Sequence, residues 1–349
     1  MTIRALTFHG KGDIRCESRP DPTPPDSHGA VLRVERAAIC GSDLHLYHGD
    51  LPVSETGFAV GHEFVGEVVE VGSAVRDFRP GDRVLCAGVI GCGLCGACRG
   101  GHVVRCERRL TRVFGMSGAL PGGQAEAVSV PGADHALRRI PGGVSVEQAV
   151  LLTDILPTAF YGAKGAEIRP GQTVAVIGLG PVGLLAVECA QLFGPARVLA
   201  IDRIPERLER AKALGAVPVH VDRAAETALE LTGGTGPDAV IEAVGADASI
   251  QLALQLVRVA GVVSVVGVNV NLAFPFPMPL ALMKDLTFRI GICPVPELWD
   301  ELVPLLQSGR LRPESVFTHR LPLSEGSEAY RIFDQKRGGV LKVLLDPSR

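Results

Sequence analysis

The feature that most constrains the fold is a regular alternation of apolar segments and helix-forming segments between residues 173 and 266. Each apolar segment is short, uninterrupted and rich in Val, Ile and Ala, as in TVAVI at 173–177. A strand that is apolar on both faces belongs in a parallel sheet that helices cover on both sides. This part of the chain is therefore predicted to form a doubly wound α/β domain. Its predicted strands are residues 173–177, 197–201, 217–221, 238–242 and 262–266.

A glycine-rich turn, GLGPVG at 178–183, joins the first of these strands to the first helix. Its three glycines allow a tight turn, close approach of the backbone to a pyrophosphate, and close packing of helix on strand. The N-terminus of the helix then favours the negative charge of a phosphate. A tight turn that binds nothing is the alternative, but the strand-turn-helix context favours a dinucleotide site. The predicted cofactor contacts are Gly178, Gly180, Pro181, Val182, Gly183, Val244, Val266 and Gly267.

Asp202 ends the next strand and bears on the choice of cofactor. A carboxylate there can accept hydrogen bonds from the adenosine ribose hydroxyls, and it repels a 2′-phosphate. This predicts NAD in preference to NADP. Arg203 is the opposing signal, because a neighbouring guanidinium is able to pair with that phosphate.

Four cysteines with the spacing C-x2-C-x2-C-x7-C lie in a different part of the chain, at 92–106. Four thiolates this close can surround one tetrahedral ion, and zinc favours such a set in closed structural sites. The N-terminus has no apolar run long enough for a signal peptide, so we expect a cytoplasmic protein with metal-bound or reduced thiols. The predicted ligands of this ion are Cys92, Cys95, Cys98 and Cys106.

A second set of metal ligands is scattered over three segments, at Cys40, at His62-Glu63 and at Asp154. One thiolate, one imidazole and one carboxylate would bind zinc in three positions and leave the fourth open, which is the mark of a catalytic site. Their spacing alone is weak evidence, because they are far apart in sequence. Taken singly, His62 is more often a loop histidine and Cys40 more often a buried apolar residue.

The motifs together resemble those of zinc-dependent alcohol dehydrogenases of the medium-chain dehydrogenase/reductase family. The resemblance covers essentially the whole chain and includes CGSDLHLYHG at 40–49, GHEFVGEVVEVG at 61–72, the cysteine run, the glycine turn and the closing GVLKVLL. It implies two domains in an α/β protein, as the length also suggests. The expected division is a β-rich, GroES-like catalytic domain over 1–152 and 290–349, with a structural-zinc lobe at about 91–106, and a Rossmann NAD-binding domain over 153–289.

The resemblance also assigns roles to single residues. It implies that Ser42 hydrogen-bonds the substrate oxygen and passes its proton, through the cofactor ribose, to His45, with His48 as a competitor for that role. Asp43 is either a partner that orients a metal ligand or the first residue of an Asx turn. Glu63 resembles a carboxylate that approaches or replaces a ligand during exchange. The implied ligands of the catalytic zinc are therefore Cys40, His62, Glu63 and Asp154.

The expected reaction is hydride transfer between an alcohol and NAD, with two zinc ions per chain. Asp154 stands where many members carry Cys, which is similar to polyol and formaldehyde-handling members. Polyol dehydrogenase and formaldehyde dehydrogenase or dismutase activity therefore remain as alternatives. A zinc-finger module would explain only the cysteine run, and a metal-free reductase would be expected to lack both ligand sets.

The expected partners are a small-molecule substrate and further copies of the chain. The formal net charge of −3 gives no basic field for nucleic acid. Gly, Asn and Pro interrupt the uncharged stretch 259–283, so a strand, loop and short helix are expected there instead of a membrane span. The resemblance implies a tetramer or a dimer, and the strand run 262–268 is a candidate for pairing across subunits.

Overall fold

A computed structural model describes residues 2–349 of the chain. The strands are β1 (Thr2–Gly10), β2 (Asp13–Pro20), β3 (Ala30–Ala38), β4 (Phe58–Ala59), β5 (Glu63–Val71), β6 (Arg83–Cys86), β7 (Val89–Ile90), β8 (Arg112–Val113), β9 (Ala127–Val130), β10 (Leu137–Arg139), β11 (Thr173–Ile177), β12 (Arg197–Asp202), β13 (Val217–His220), β14 (Ala239–Glu242), β15 (Val262–Val265), β16 (Thr287–Ile290), β17 (Phe317–Pro322) and β18 (Lys342–Asp346). The helices are α1 (Asp43–His48), α2 (Gly96–Arg99), α3 (Ala133–Ala136), α4 (Val146–Leu151), α5 (Ile155–Gly165), α6 (Pro181–Gln191), α7 (Pro205–Ala213), α8 (Ala224–Leu231), α9 (Asp247–Leu256), α10 (Met278–Lys284), α11 (Val295–Gln307) and α12 (Gly326–Asp334).

The chain divides into two compact units. One runs to Pro157 and resumes at Pro294–Arg349, and the other is Thr158–Cys293. The first unit therefore contains both ends of the chain, and the second is a single continuous insertion. No helix among residues 2–349 is long and apolar enough to cross a membrane.

The first unit is built on β-sheets. Its main sheet has the strand order β10-β6-β5-β3-β18-β17, and β9 pairs with β3 beside this path. Strand β3 pairs antiparallel with both β5 and β18, so the strand before Cys40 lies between the strand that begins at Glu63 and the strand that begins at Lys342. The sheet order thus brings together segments that are far apart in the sequence. A core of Leu6, Leu32, Phe64, Phe114 and Tyr330 packs around these strands.

The second unit confirms the predicted doubly wound fold. Its sheet is parallel throughout, in the order β13-β12-β11-β14-β15-β16. The central strands β11, β12 and β14 are almost wholly buried, because helices cover both faces of a parallel sheet. The first strand leads through the glycine turn into α6, as the motif predicts.

The sheet has one strand more than the five that the sequence predicts, and one expectation is therefore wrong. The alternation seen in the sequence ends at residue 266, but a sixth strand, β16, pairs with β15 and forms the edge. Strand β15 has β14 on one side and β16 on the other. The run 262–268 therefore has no free edge for pairing across subunits, since the backbone groups of β15 already bond within the sheet. The prediction of strand, loop and short helix over 259–283 agrees with β15 and α10.

Candidate metal centres and cofactor site

The three separated ligand segments converge in the first unit. Cys40 follows the end of β3, His62 precedes β5, and Asp154 lies between α4 and α5. The Cys40 Sγ lies 3.4 Å from Asp154 Oδ2, and His62 Nε2 lies 3.2 Å from the same oxygen. One ligand atom from each of these residues and from Glu63 lies within 4.8 Å of the others. The arrangement fits a metal, because a thiolate, an imidazole and a carboxylate point at one place with no other cation between them.

Local backbone geometry places His62 and Asp154. Gly61 has φ +89°, and a Cβ atom there would lie 2.3 Å from the side chain of Gln124, so only glycine fits before His62. Helix α4 begins with a capping box between Ser145 and Gln148. It ends at Leu151, three positions before Asp154, so the helix fixes where the chain that carries this carboxylate begins.

Asp43 orients two of the ligands. Its Oδ2 accepts hydrogen bonds from the Cys40 backbone N at 2.9 Å and from Gln124 Nε2 at 3.2 Å, while its Oδ1 lies 3.1 Å from His62 Nδ1. A carboxylate on the far ring nitrogen fixes the tautomer that leaves Nε2 free for a metal. Tyr330 OH in turn donates to Gln124 Oε1 at 2.8 Å. Asp43 thus makes the backbone contact of a turn residue and also contacts the ring of His62.

Glu63 is paired with a lysine that the sequence analysis missed. Lys342 Nζ lies 2.8 Å from Glu63 Oε1 and 2.7 Å from Oε2, and it also donates to Ile39 O at 3.0 Å. Both side chains are buried, with 1% and 0% of their surfaces exposed. A charged residue in the apolar run GVLKVLL was the available signal, since lysine is almost never fully buried unless paired.

Burial and neighbouring charge shift the pKa values of this cluster. Burial raises the pKa of the Cys40 thiol to about 11, which favours the neutral thiol until a cation binds beside it. Burial acts to lower the pKa of His62, but Asp43 and Asp154 outweigh it and the pKa rises well above its usual range. The pKa of Asp154 is lowered, because its contact with His62 outweighs burial. A metal that binds here displaces protons from the thiol and the imidazole.

Ser42 lies beside the ligand set, whereas the histidines of α1 do not touch it. The Ser42 Oγ is 3.3 Å from Cys40 Sγ and 3.3 Å from His62 Nε2. His45 Nδ1 lies 3.4 Å from Asp50 Oδ2, and His48 Nε2 lies 2.7 Å from Asp334 Oδ1. His48 thus contacts a carboxylate on α12, whereas the contact of His45 is to a carboxylate just after α1.

The four cysteines of the second set also converge. Cys92 Sγ and Cys98 Sγ are 3.9 Å apart, and all four sulfur atoms lie within 4.8 Å of one another. A tetrahedron of Zn–S bonds of about 2.3 Å needs sulfur atoms roughly 3.8 Å apart, so the cysteines fit zinc. The backbone N–H of Cys95 donates to Cys92 Sγ at 3.4 Å. The backbone N–H of Cys98 donates to Cys95 Sγ at 3.4 Å, and this contact lowers the pKa of the Cys95 thiol.

The glycine turn has the tight geometry that its motif predicts. Gly178 has φ +85°, and a Cβ atom there would lie 2.2 Å from Val244 Cγ2. A Cβ atom at Gly183 would lie 1.7 Å from Gly178 O, so helix α6 can pack this closely only with glycine. Gly180 is the N-cap of α6 and Pro181 is its first residue. The turn therefore lies at a helix N-terminus, a position that favours the negative charge of a phosphate.

The other predicted cofactor residues lie at the ends of neighbouring strands. Val244 follows β14, and Val266 and Gly267 follow β15. A Cβ atom at Gly267 would lie 2.1 Å from Gly245 N, so these two connections pass close together. Ligands of open parallel sheets bind at the carboxyl ends of the strands. Val182 is at the start of α6, at the same edge of the sheet.

Asp202 ends β12 and its carboxylate is held firmly. Its Oδ2 accepts a hydrogen bond from Leu179 N in the glycine turn at 2.6 Å, and its Oδ1 accepts from Arg203 N at 2.7 Å and Ile204 N at 2.9 Å. The Arg203 side chain is exposed to solvent. A second guanidinium, that of Arg207, lies nearer to the carboxylate, with Nη1 3.9 Å from Asp202 Oδ2. The sequence analysis missed Arg207, which faces Asp202 from the first turn of α7.

Known protein families and sequences are similar to this chain. The models of two families match: the alcohol dehydrogenase GroES-like domain over residues 26–141 and the zinc-binding dehydrogenase over residues 181–308. A probable zinc-binding alcohol dehydrogenase of Mycobacterium tuberculosis, Rv1895, is 45% identical over 99% of this chain and 89% of its own length. Zinc-type alcohol dehydrogenase B of Aspergillus flavus is 39% identical over 98% of this chain and 81% of its own length.

A solved structure extends the agreement to three dimensions. Alcohol dehydrogenase TADH from Thermus sp. ATN1 is 46% identical and has a TM-score of 0.91, with 98% of this chain and 99% of that chain covered. The resemblance read from the motifs is therefore confirmed, as is the class of zinc-dependent oxidoreductase. Agreement of this kind over nearly the whole length leaves one assignment: the chain belongs to the zinc-dependent alcohol dehydrogenases of the medium-chain dehydrogenase/reductase family.

Proposed function

We propose that this enzyme oxidises alcohols, or reduces the matching carbonyl compounds, at Cys40, His62 and Asp154, with NAD as its preferred cofactor. The observation that carries this proposal is the convergence of these three ligands at 3.2–3.4 Å. Three protein ligands leave a tetrahedral ion one open position, which four cysteines do not. The chemistry therefore belongs to the first set, and the four-cysteine set has a structural role, with one zinc ion at each.

The two units divide the work in this proposal. The first unit holds the metal ligands, and the second holds the dinucleotide at the glycine turn. A zinc ion on the three ligands would act as a Lewis acid that acidifies the hydroxyl of a bound alcohol. Bound NAD would accept the hydride from the carbon of that alcohol.

The chain itself moves the proton in this scheme. The Ser42 hydroxyl lies 3.3 Å from two of the ligand atoms, so it is placed to hydrogen-bond the oxygen of an alcohol bound there. His45 lies on the next turn of chain, in α1, with 26% of its side chain exposed. An imidazole that is partly in water can release a proton to solvent. Asp43 holds the ring of His62 in place while this occurs.

Asp202 supports NAD as the preferred cofactor. The backbone N–H groups of Leu179, Arg203 and Ile204 fix its carboxylate at the end of β12. A carboxylate held there accepts ribose hydroxyls and repels a 2′-phosphate. Arg203 and Arg207 oppose this effect in part, so the preference rests on the charge of Asp202.

The proposal is tested by zinc analysis together with initial rates on primary, secondary and vicinal-diol alcohols, with NAD and with NADP. About two zinc ions per chain and faster turnover with NAD are expected. Asp202→Asn removes the charge but keeps an acceptor oxygen, so it should raise the NADP-to-NAD ratio of kcat/KM by about tenfold or more. The matched control is Asp222→Asn, an exposed aspartate whose contact is with His220. One zinc ion per chain, or an unchanged cofactor ratio in Asp202→Asn, would contradict the corresponding part.

We also propose that the chain forms a homo-oligomer through the edge strand β16. This strand is exposed, and a group of apolar side chains beside it faces solvent: Met278, Leu282, Met283, Ile290 and Ile292 are 55–81% exposed. An open edge with adjacent apolar surface is a template for pairing with a second copy. The two sets of cysteine-containing metal ligands suit a reducing, cytoplasmic setting for this assembly, because an oxidising compartment favours disulfides.

Ile290→Lys should weaken this assembly. A lysine on an edge strand blocks pairing, because its charge would be buried against the partner strand. The variant is expected to shift the mass measured by size exclusion with light scattering toward that of a single chain. Leu229→Lys, on the exposed face of α8, is the control and should leave the mass unchanged. A parent protein that is already monomeric, or an Ile290→Lys variant of unchanged mass, argues against β16 as the interface.

A further inference from the structure

We propose that Lys342 is a positioning residue that keeps Glu63 away from the metal, so that the fourth coordination position stays open for substrate. This inference rests on the proposed function, because it assumes a metal on Cys40, His62 and Asp154. It concerns a residue that enters the first unit from the opposite end of the chain, 279 positions from Glu63.

The Glu63 carboxylate is within reach of a metal ion held by Cys40, His62 and Asp154. One of its carboxylate oxygens lies within 4.8 Å of ligand atoms of Cys40, His62 and Asp154. Carboxylate oxygens are good zinc ligands. A Glu63 side chain that turned toward the other three would supply a fourth protein ligand and close the site. A neighbouring group must therefore keep the Glu63 carboxylate off the metal if the fourth coordination position is to bind an alcohol.

Lys342 contacts both oxygens of the Glu63 carboxylate. Its Nζ lies 2.8 Å from one and 2.7 Å from the other, and the third contact, to Ile39 O, is 3.0 Å long. The ammonium group donates hydrogen bonds to Glu63 Oε1 and to Ile39 O, and its contact with Glu63 Oε2 is an ion pair without hydrogen-bond geometry. Because both side chains are shielded from water, no solvent competes for the carboxylate.

The register of the main sheet fixes Lys342 and Glu63 on either side of the end of β3. Ala38 on β3 pairs with Glu63 on one side and with Leu344 on the other. Lys342 lies two positions before Leu344, so its side chain passes the end of β3 where Cys40 begins the metal site. Three strands thus fix both partners next to the ligands, and neither can shift without disturbing the sheet.

The net stability that this buried ion pair contributes is expected to be small. A buried ion pair adds little net stability on average, because the loss of hydration offsets the attraction between the charges. Stability alone is therefore a weak reason for a buried lysine at this place. Control over a carboxylate beside the metal gives it a function that an apolar residue of similar size could not perform.

The test compares Lys342→Met with Lys342→Met/Glu63→Gln in the full-length zinc enzyme. In the single variant the released Glu63 should bind the metal, so transfer of the catalytic zinc to the chelator 4-(2-pyridylazo)resorcinol should slow by about tenfold. The value of kcat/KM should fall by about tenfold or more, because the open position is filled. Slower zinc loss combined with lower activity is the expected signature. In the double variant no carboxylate is free, and both quantities should return to within about threefold of the parent.

A merely structural role gives a different result. If Lys342 only stabilises the sheet, its loss should speed zinc release along with the fall in activity, and the double variant should be no better. Either result overturns the proposal. The matched control is Lys284→Met in the other unit, whose Nζ donates to the carbonyls of Leu254, Gln255 and Val257. Its loss is expected to lower the Tm and leave zinc release unchanged.

The same set of variants also covers two further outcomes: a Lys342→Met variant that does not fold, and a parent enzyme without the zinc-release phase. If Lys342→Met does not fold, the double variant alone decides, since it keeps the local charge balance. Zinc release within about threefold of the parent then supports a Glu63 that is not a ligand at rest, and release more than about tenfold faster overturns it. The zinc-release phase is assigned by its absence in Cys40→Ser. If the parent lacks that phase, the proposed function fails, irrespective of Lys342.

Discussion

Cys40→Ser is expected to lower kcat/KM for alcohol oxidation by roughly 10³-fold or more, because Lewis-acid activation by the metal is worth several kcal/mol. Serine is a poor zinc ligand at neutral pH, since its hydroxyl does not ionise as a thiol does. Two ligands, His62 and Asp154, would remain, which is too few for a stable site. Zinc analysis should show the loss of one ion per chain.

The fold should survive this change. The hydrogen bond from Cys40 to Asp43 comes from the backbone N and not from the thiol, so Ser at this position keeps it. Circular dichroism and the Tm should therefore change little. Cys16→Ser is the matched control, because Cys16 is a half-buried cysteine outside both ligand sets. A Cys40→Ser enzyme with full activity, or a Cys16→Ser enzyme that loses zinc, would show that the catalytic metal lies elsewhere.

Cys95→Ser is expected to release the other zinc ion and to lower the Tm by roughly 10 °C or more. The lobe around it has a small apolar core, since the buried group there consists of Cys95, Cys98 and Cys106, with Val103 as a further buried residue. Leu94 and Leu110, which flank it, are 51% and 47% exposed and so bury only about half of their surface. The metal is therefore what organises this lobe, and several kcal/mol of binding energy become folding energy. In a unit of 150–250 residues, the size class of the first unit, each kcal/mol is worth about 2–4 °C in Tm.

The rate per folded molecule separates the two zinc sites. At a temperature below the transition, Cys95→Ser should keep kcat within about threefold of the parent while it retains the catalytic zinc, because a closed four-sulfur site does not touch substrate. Calorimetry, zinc analysis and initial rates on the same sample check this. Leu94→Ser, a neighbouring exposed position, is the control and should change none of the three. An unchanged Tm in Cys95→Ser would mean that the lobe folds without metal.

The parts of the protein that sequence predicts well are those that depend on neighbours along the chain. The glycine turn and the alternation around it specify the doubly wound domain, because strand, turn and helix follow one another within about 30 residues. The cysteine run is equally local, and all four sulfur atoms come together as its spacing indicates. The separated ligands Cys40, His62 and Asp154 needed the family resemblance, since no spacing rule connects them.

The parts that sequence missed depend on the order of strands in space. Strand β16 is short, and its burial pattern carries no strong period, so it was overlooked as the edge of the sheet. Gln124 and Tyr330 support Asp43 from distant segments, and neither lies in a motif. Arg207 was missed because a helix arginine is most often a solvated side chain.

By itself, the sequence determined the fold class, the glycine turn and the four-cysteine run. Each of these features depends on residues that are close together in the sequence, or on motifs that follow one another in a fixed order along the chain. Only the tertiary structure decided what surrounds Glu63. Lys342 reaches it because the sheet places β5, β3 and β18 side by side, and such an order of strands follows from the packing of the whole unit. A buried charge depends on its neighbours in space, so its partner becomes visible only once the strands are in place.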